Sequence, residues 1–275
     1  MSSLYSFPPR RILAPTDMSA ASKSALQYAR CFHERFGSAV SVLHAHHLDL
    51  PPYFSSGQLR DLKRELKKLA KAAADHVQKE SDPVLGFHPD ITVVENEPIE
   101  AILSASQEQI ELIIMGMHGH SRAERLFMGS VTDRVIRRSR VPVLAVYHAP
   151  PERPIQKILC PMNPSETGKQ ALEYAAQIVK AFNAHLTVLH VVEPGDAPLT
   201  CPLVDEPVKN ICRVEEVNLH GNAAKTILEV SHNLKPDLIV MGAEHKTGIL
   251  GEFFSSTTSS VMQSAVGPLM IVPKR

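Results

Sequence analysis

The sequence predicts an α/β protein made of two tandem, doubly wound parallel-sheet domains. Two observations carry this. The first is an internal repeat. RRILAPTDMSAASKSALQYARCFHERFGSAVSVLHAHH, starting at Arg10, matches QKILCPMNPSETGKQALEYAAQIVKAFNAHLTVLHVVE, starting at Gln156, at a constant offset of 146. Ile12 falls on Ile158, Pro15 on Pro161, Ser19 on Ser165, Leu26 on Leu172, Phe36 on Phe182 and His44 on His190. Later, LIIMG ending at Gly116 matches LIVMG ending at Gly242, and VPVLAV from Val141 matches GPLMIV from Gly267. There the offset is 126, so the second copy is 20 residues shorter in its middle. Copies this long are domains rather than solenoid units. The second observation is alternation: apolar strands separated by helices, the pattern of a parallel sheet covered on both faces. The proline-rich HAPPERP, 148–154, marks the junction and gives domains 1–149 and 150–275.

The elements follow in order. RILAP, ending at Pro15, is a short apolar run suited to a buried strand. Ser19 is a good N-cap for a helix to Phe36, with Ala25, Leu26, Ala29, Phe32 and Phe36 on one face. AVSVLHA, 39–45, is the second strand. Residues 58–80 form an amphipathic helix, with Leu59, Leu62, Leu66, Leu69, Ala73 and Val77 inward and a lysine-rich outer face. ITVV, LIIM and VPVLAV complete the strands of the first copy. Where the first copy has its long helix, the second has PGDAPLTCPLVDEPVKN, rich in proline and poorly suited to helix.

Composition narrows the function. The chain has 275 residues, 44% hydrophobic and 21% charged, the balance of a globular protein with room for two domains. Net charge is zero and Trp is absent, which argues against a nucleic-acid surface or a base-stacking platform. No apolar run approaches the roughly 20 residues that span a bilayer, and MSSLYSFPPRR lacks a signal-peptide core, so the expectation is a cytoplasmic protein. Cys31, Cys160, Cys201 and Cys212 form no CxxC pair and fit no zinc template, so reduced thiols are expected.

In sheets of this class ligands sit beyond the carboxyl ends of the strands. Pro15, Thr16 and Asp17 follow the first strand, His44, Ala45 and His46 end the second, and MGMHGHSRAERLFMGSVTD follows the fourth. A turn that leaves a strand and enters a helix aims backbone N–H groups at one point, and the helix dipole adds positive potential, which suits a phosphate. Gly116 and Gly119 would shape that turn by positive φ or close approach, and Gly129 would set the N–H groups of Ser130, Val131 and Thr132 at a helix start. Ser130 would cap that helix, and Ser130 and Thr132 would offer hydroxyl donors. A plain surface loop with turn-forming glycines accounts for the residues about as well. The spacing is neither a Walker A loop nor the GxGxxG fingerprint.

Gly116-x2-Gly119-x9-Gly129-Ser130, with LIIMGMHG before it, GSVTDRVIRRSRVPVLAV after it and ILAPTDMSAASKSAL near the N-terminus, resembles the ATP-binding motif of the universal stress protein family. The resemblance covers nearly the whole chain and implies a tandem member. It implies five-stranded sheets of order 3-2-1-4-5 (the adenine nucleotide alpha hydrolase-like fold), paired through their last strands. It places adenine and ribose near Pro15, Thr16, Asp17, Ala45 and Met115. It places the phosphates of ATP, or of another adenine nucleotide, on Gly116, Gly119, Gly129, Ser130, Val131 and Thr132, with magnesium as a companion. It also implies a role as a nucleotide-dependent stress-response sensor or switch acting through protein partners, and it admits a homodimer.

The second copy departs from that motif. Thr16 becomes Met162, Asp17 becomes Asn163, Gly119 becomes His245, and Gly129-Ser130 becomes Ser255-Ser256. A β-carbon at 245 or 255 is expected to crowd the turn, and Gly248 and Gly251 offer a rearranged loop. Nucleotide is therefore expected mainly in the first domain. His44, His46, His47, His118 and His120 read as polar positions near that pocket rather than as a metal site. No GxSxG elbow, HExxH or acid/base pair stands out, so catalysis beyond slow ATP hydrolysis is not expected, and no metal site is assigned. A nucleotide-free scaffold is the remaining alternative.

Overall fold

The structure is a computed structural model that describes residues 5–46, 56–117, 129–150, 153–195, 203–204, 206–210, 213–243, 245–248, 251–265 and 267–274; for 56–67, 207, 245–248 and 251–254 it describes the backbone alone. In the first half, β1 (Arg11–Pro15), α1 (Ala20–Phe36), β2 (Ala39–His46), α2 (Ser56–Leu85), β3 (Asp90–Glu95), α3 (Pro98–Ala105), β4 (Leu112–Gly116), α4 (Ser130–Arg138) and β5 (Val143–Val146) alternate as expected. The second half runs β6 (Lys157–Pro161), α5 (Glu166–Phe182), β7 (His185–Val192), α6 (Glu206–Lys209), β8 (Arg213–His220), α7 (Ala223–Leu234) and β9 (Leu238–Ala243). It ends with β10 (His245–Gly248), β11 (Gly251–Phe254), α8 (Ser256–Ser264) and β12 (Leu269–Pro273).

Ten strands make one sheet, in the order β3-β2-β1-β4-β5-β12-β9-β6-β7-β8. Each half is therefore a parallel sheet of order 3-2-1-4-5. The halves meet where β5 and β12 pair antiparallel, Leu269 opposite Ala145 and Ile271 opposite Val143. Each of these two strands hides the edge that the other would leave bare.

Alternation along the strands builds two cores, one on each face of the sheet. Ile12, Ala14, Leu112, Ile114 and Leu144 face α1 and α5, while Leu13, Ile113, Met115 and Val143 face α3, α4 and α8. Both cores run through both halves. The repeat extends to the helix ends. The Ser19 hydroxyl accepts from the N–H of Ser22, and its counterpart Ser165 accepts from Gly168. The C-cap of α1 is Gly37 at φ 70°, and that of α5 is Asn183 at φ 54°, two residues that tolerate the left-handed region.

Two features differ from the sequence reading. Helix α2 runs from Ser56 to Leu85 rather than over 58–80, with Pro83 in its last turn, and Leu69 is 57% exposed rather than inward. The buried stripe is Val77, Ser81 and Leu85. Residues spaced by four drift about 40° per step around a 3.6-residue helix, so Leu69 has rotated roughly 160° from Leu85. Leu59, Leu62 and Leu66 lie outside the described side chains. In the second half the proline-rich stretch does contain a helix, the four-residue α6.

The segment before β1 packs at the junction of the halves. Phe7 lies edge-on to Phe32, Phe36 and Tyr174, with ring centroids 5.5–5.8 Å apart, and 6.1 Å from Phe182. The Tyr5 hydroxyl donates to the carbonyls of Arg140 and Pro273, at 3.2 Å each. One short arm thus touches α1, α5 and the residues flanking the central strand pair.

Candidate functional site

The candidate residues of the first half come from the carboxyl ends of three adjacent strands. Pro15 ends β1, Ala45 lies near the end of β2, and Met115 and Gly116 end β4. Local hydrogen bonds fix the turn after β1. The Thr16 N–H donates to the carbonyl of Leu43 (2.8 Å), and the Thr16 hydroxyl donates to Ser22 Oγ (3.1 Å) while accepting from the N–H of Met18 (3.0 Å). Asp17 Oδ1 accepts from the N–H of Ser19 at 3.0 Å, and the carboxylate is half-buried. His44 Nδ1 donates to the carbonyl of Thr16 at 2.8 Å, so this ring ties β2 to the turn. The His44 and His46 rings stack with centroids 6.2 Å apart, as their shared strand face requires.

Gly116 has a different reason from the one its motif suggests. Its φ is not positive. A β-carbon there would sit 2.6 Å from the backbone carbonyl carbon of Ala21 and 2.8 Å from Ala21 Cβ, so the glycine lets α1 lie directly on the end of β4. Gly242 does the same in the second half, where a β-carbon would sit 2.5 Å from the carbonyl oxygen of Thr167. This explains why Gly242 alone of the motif glycines stays in register.

At α4 the structure corrects two further assignments. The N-cap is Gly129, not Ser130, and Ser130 is the first helical residue. The hydroxyl of Thr132, which is buried, donates to the carbonyl of Gly116 at 2.7 Å and is not a spare donor; it pins α4 to the end of β4. Gly129 donates to the carbonyl of Met117, and Met117 donates to Val146. Gly119, His118 and His120 lie outside the described residues.

The first turn of α4 is singular. Of the six helices whose N-caps are described, α1 is capped by Ser19, α3 by Glu97, α5 by Ser165, α7 by Asn222 and α8 by Ser255, each with a side-chain oxygen. Helix α4 has no side-chain cap among the described residues, because Gly129 has no side chain to offer. Its first-turn N–H groups would otherwise need a partner from outside the helix.

The internal repeat shows how such residues assemble. A cleft of about 500 Å³ opens beyond the strand ends of the second half. Its lining includes Pro161, Met162, Asn163 and Val191, the counterparts of Pro15, Thr16, Asp17 and Ala45. It also includes Met241, Gly242 and Ser255 to Thr258, the counterparts of Met115, Gly116 and Gly129 to Thr132. Every described candidate of the first half thus has its counterpart in one cleft. Glu193, Ala223 and Ile227 line it too, and sequence reading missed them. Glu193 Oε1 accepts from the N–H of Ala223 at the start of α7, a contact between positions 30 apart that no local pattern signals.

In the second half Ser255 stands at φ −56° and ψ 151°, ordinary extended backbone, so its β-carbon does not crowd the turn. The change acts chemically: Ser255 Oγ accepts from the N–H of Thr258 at 3.2 Å, giving α8 the cap that α4 lacks. The expected loop around Gly248 and Gly251 is the antiparallel hairpin β10–β11, and β11 lies against α4 of the first half. Among the described residues no group of three His, Cys, Asp or Glu side chains could hold a metal ion. Cys160 is fully buried, and burial pushes its thiol up to about 12. No helix among the described residues is long and apolar enough to cross a membrane.

Comparison with known proteins bears on the family and the fold. The model of the universal stress protein family matches residues 9–147 and again 154–273. The chain belongs to the universal stress protein family. It is 32% identical over 153 residues to a universal stress protein of Methanocaldococcus jannaschii, covering 50% of this chain and 94% of that one. A universal stress protein of Mycolicibacterium smegmatis is 21% identical over 287 residues, covering 96% and 97%. Among solved structures, a universal stress protein from Archaeoglobus fulgidus superposes with a TM-score of 0.73 at 23% identity, covering 98% of this chain and all of that one. That likeness fixes the fold.

Proposed function

We propose that the first half binds ATP or another adenine nucleotide and that the chain acts as a nucleotide-dependent switch in the stress response. The carrying observation is the uncapped start of α4, behind Gly129, at the strand ends where such sheets take ligands. An anion there satisfies orphan N–H groups and meets the positive end of the helix dipole, worth up to about 2 kcal/mol in a partly buried setting. In this reading Pro15, Thr16, Asp17, Ala45 and Met115 frame base and ribose, Gly116 keeps α1 close, and Gly129, Ser130 and Val131 present backbone to phosphate. Thr132 positions the helix. The contact of α4 with β11 gives the second half a place to register occupancy.

The test is calorimetric titration of ATP with magnesium into chain stripped of carried-over nucleotide. The expected result is one site per chain. Gly129→Ser, which gives α4 the cap that α8 already has, should lower affinity on the order of tenfold while changing fold stability by only a few tenths of a kcal/mol. Two equal sites, no binding, or unaltered affinity in Gly129→Ser would overturn the reading.

A further inference from the structure

We propose that the cleft of the second half is a separate binding site for an unphosphorylated nucleoside. The inference rests on the reading above of which end of the site holds base and ribose. It follows from what the second cleft keeps and what it has closed.

It keeps the base-and-ribose end. The Met162 N–H donates to the carbonyl of Leu189 (2.9 Å) as Thr16 does to Leu43, and His190 Nδ1 donates to the carbonyl of Met162 (3.1 Å) as His44 does to Thr16. With Nδ1 donating, Nε2 is the remaining ring nitrogen of His190, a cleft-lining residue. Met241 and Val191 line the cleft where Met115 and Ala45 stand in the first half. At about 500 Å³ the space is in the range of small-molecule sites, which run from about 300 to about 1,000 Å³.

It has closed the phosphate end. Two helices begin at this cleft, and side chains already take N–H groups in the first turn of each, Asn222 taking that of Lys225 in α7. Ser255 takes the N–H of Thr258 in α8, and Glu193 takes the N–H of Ala223 at the start of α7. No Lys or Arg occurs among the described lining residues, while Glu193 adds a carboxylate. A phosphate brought here would meet the Glu193 carboxylate, a like charge, with no Lys or Arg among the described lining residues to compensate it. A neutral ligand rich in hydroxyl and amine donors meets no such repulsion, and it faces side-chain oxygens of Asn163 and Glu193, which also accept from Ser165 and Ala223, and the ring of His190. The two halves would thus divide one ligand chemistry, phosphorylated in the first and unphosphorylated in the second.

The experiment is calorimetric titration of adenosine, and separately of ATP with magnesium, into the full chain and three variants. Val191→Trp fills the second cleft, Gly129→Ser caps α4, and Ser255→Gly uncaps α8 at little cost in stability. Adenosine binding should persist in Gly129→Ser and fall at least about tenfold in Val191→Trp. Ser255→Gly should admit ATP to a second site per chain. The proposal is overturned if the wild-type chain binds no adenosine, if adenosine binding is lost in Gly129→Ser but unchanged in Val191→Trp, or if wild-type chain takes ATP in both clefts. Should Val191→Trp fail to fold, Ser255→Gly still decides: no gain of ATP binding there counts against the proposal. Adenosine held at the Val191 site by a chain that binds no ATP would support this proposal while overturning the one before it.

Discussion

Replacing Gly116 with Ala probes why the motif glycine is there. The added β-carbon would lie 2.6 Å from the carbonyl carbon of Ala21 and 2.8 Å from both its oxygen and its Cβ. Two of these three atoms are backbone in the first turns of α1, a helix packed through Leu26, Ala29 and Phe32 into the core, so no side chain can swing away. Relief requires shifting α1 off the end of β4. Overpacking of this kind typically costs about 1–3 kcal/mol, and rigid neighbours place the change in the upper part of that range. For a chain of this size that lowers the thermal midpoint by about 2–4 °C per kcal/mol, or roughly 4–12 °C for about 2–3 kcal/mol. Gly242→Ala, with Thr167 oxygen at 2.5 Å, should do the same in the half that lacks the rest of the motif. The assay is thermal unfolding followed by circular dichroism without ligand. If Gly116→Ala melts within a degree of wild type, the close approach of α1 is not what demands the glycine, and the motif residue returns to the ligand.

Two further expectations concern stability. Thr132→Val keeps the shape of the side chain but strands the buried Gly116 carbonyl, and chemical denaturation should show a loss of about 1–3 kcal/mol. Asp237 binds Arg153 through two hydrogen bonds of 2.7 and 2.9 Å and accepts from the N–H groups of Gln156 and Lys157, tying the start of β6 to that of β9. Burial pulls its carboxyl upward, but the Arg153 guanidinium and the two N–H groups outweigh it and hold it below the usual carboxylate range. A lowered folded value stabilises above the unfolded pKa of about 3.9, and the contribution fades as pH falls through the folded value. Asp237→Asn should therefore destabilise the chain at neutral pH, and its difference from wild type in urea midpoint should shrink from about pH 5 towards about pH 2. A difference that stays constant or grows on acidification would refute the assignment.

The sheet was legible because its causes are local and repeated. Apolar runs such as LIIM and VPVLAV, the caps at Ser19 and Ser165 and the constant offset specify strands, helices and their order. The glycine motif was legible as a pattern, but its physics was not. The sequence shows Gly116 beside a phosphate-type turn, whereas the contact that excludes a side chain comes from Ala21, 95 positions earlier. Thr132 reads as a donor until the carbonyl of Gly116 is found 2.7 Å away. Likewise Ser255 reads as a steric fault, although its backbone is relaxed and its oxygen fills a donor. In each case the residue type was right for the place and the partner was set by tertiary packing. The arm of Tyr5 and Phe7 carried no periodic signal at all, since its order comes from rings on α1 and α5.

The antiparallel register of β5 on β12 has a consequence for symmetry. Two separate identical chains meeting through such a strand pair would be bound by a twofold axis, and every substitution would appear on both sides at once. Here a tether of ten residues, 147–156, joins the partners, so their association is intramolecular, at an effective concentration near the millimolar range expected for short linkers. The interface then survives changes made on one side only. Gly129 and Asp17 persist opposite Ser255 and Asn163 in the same molecule. Dilution cannot separate them, and subunit exchange cannot restore a symmetric pair. The covalent join is what makes a permanently two-faced molecule out of a fold that is otherwise repeated.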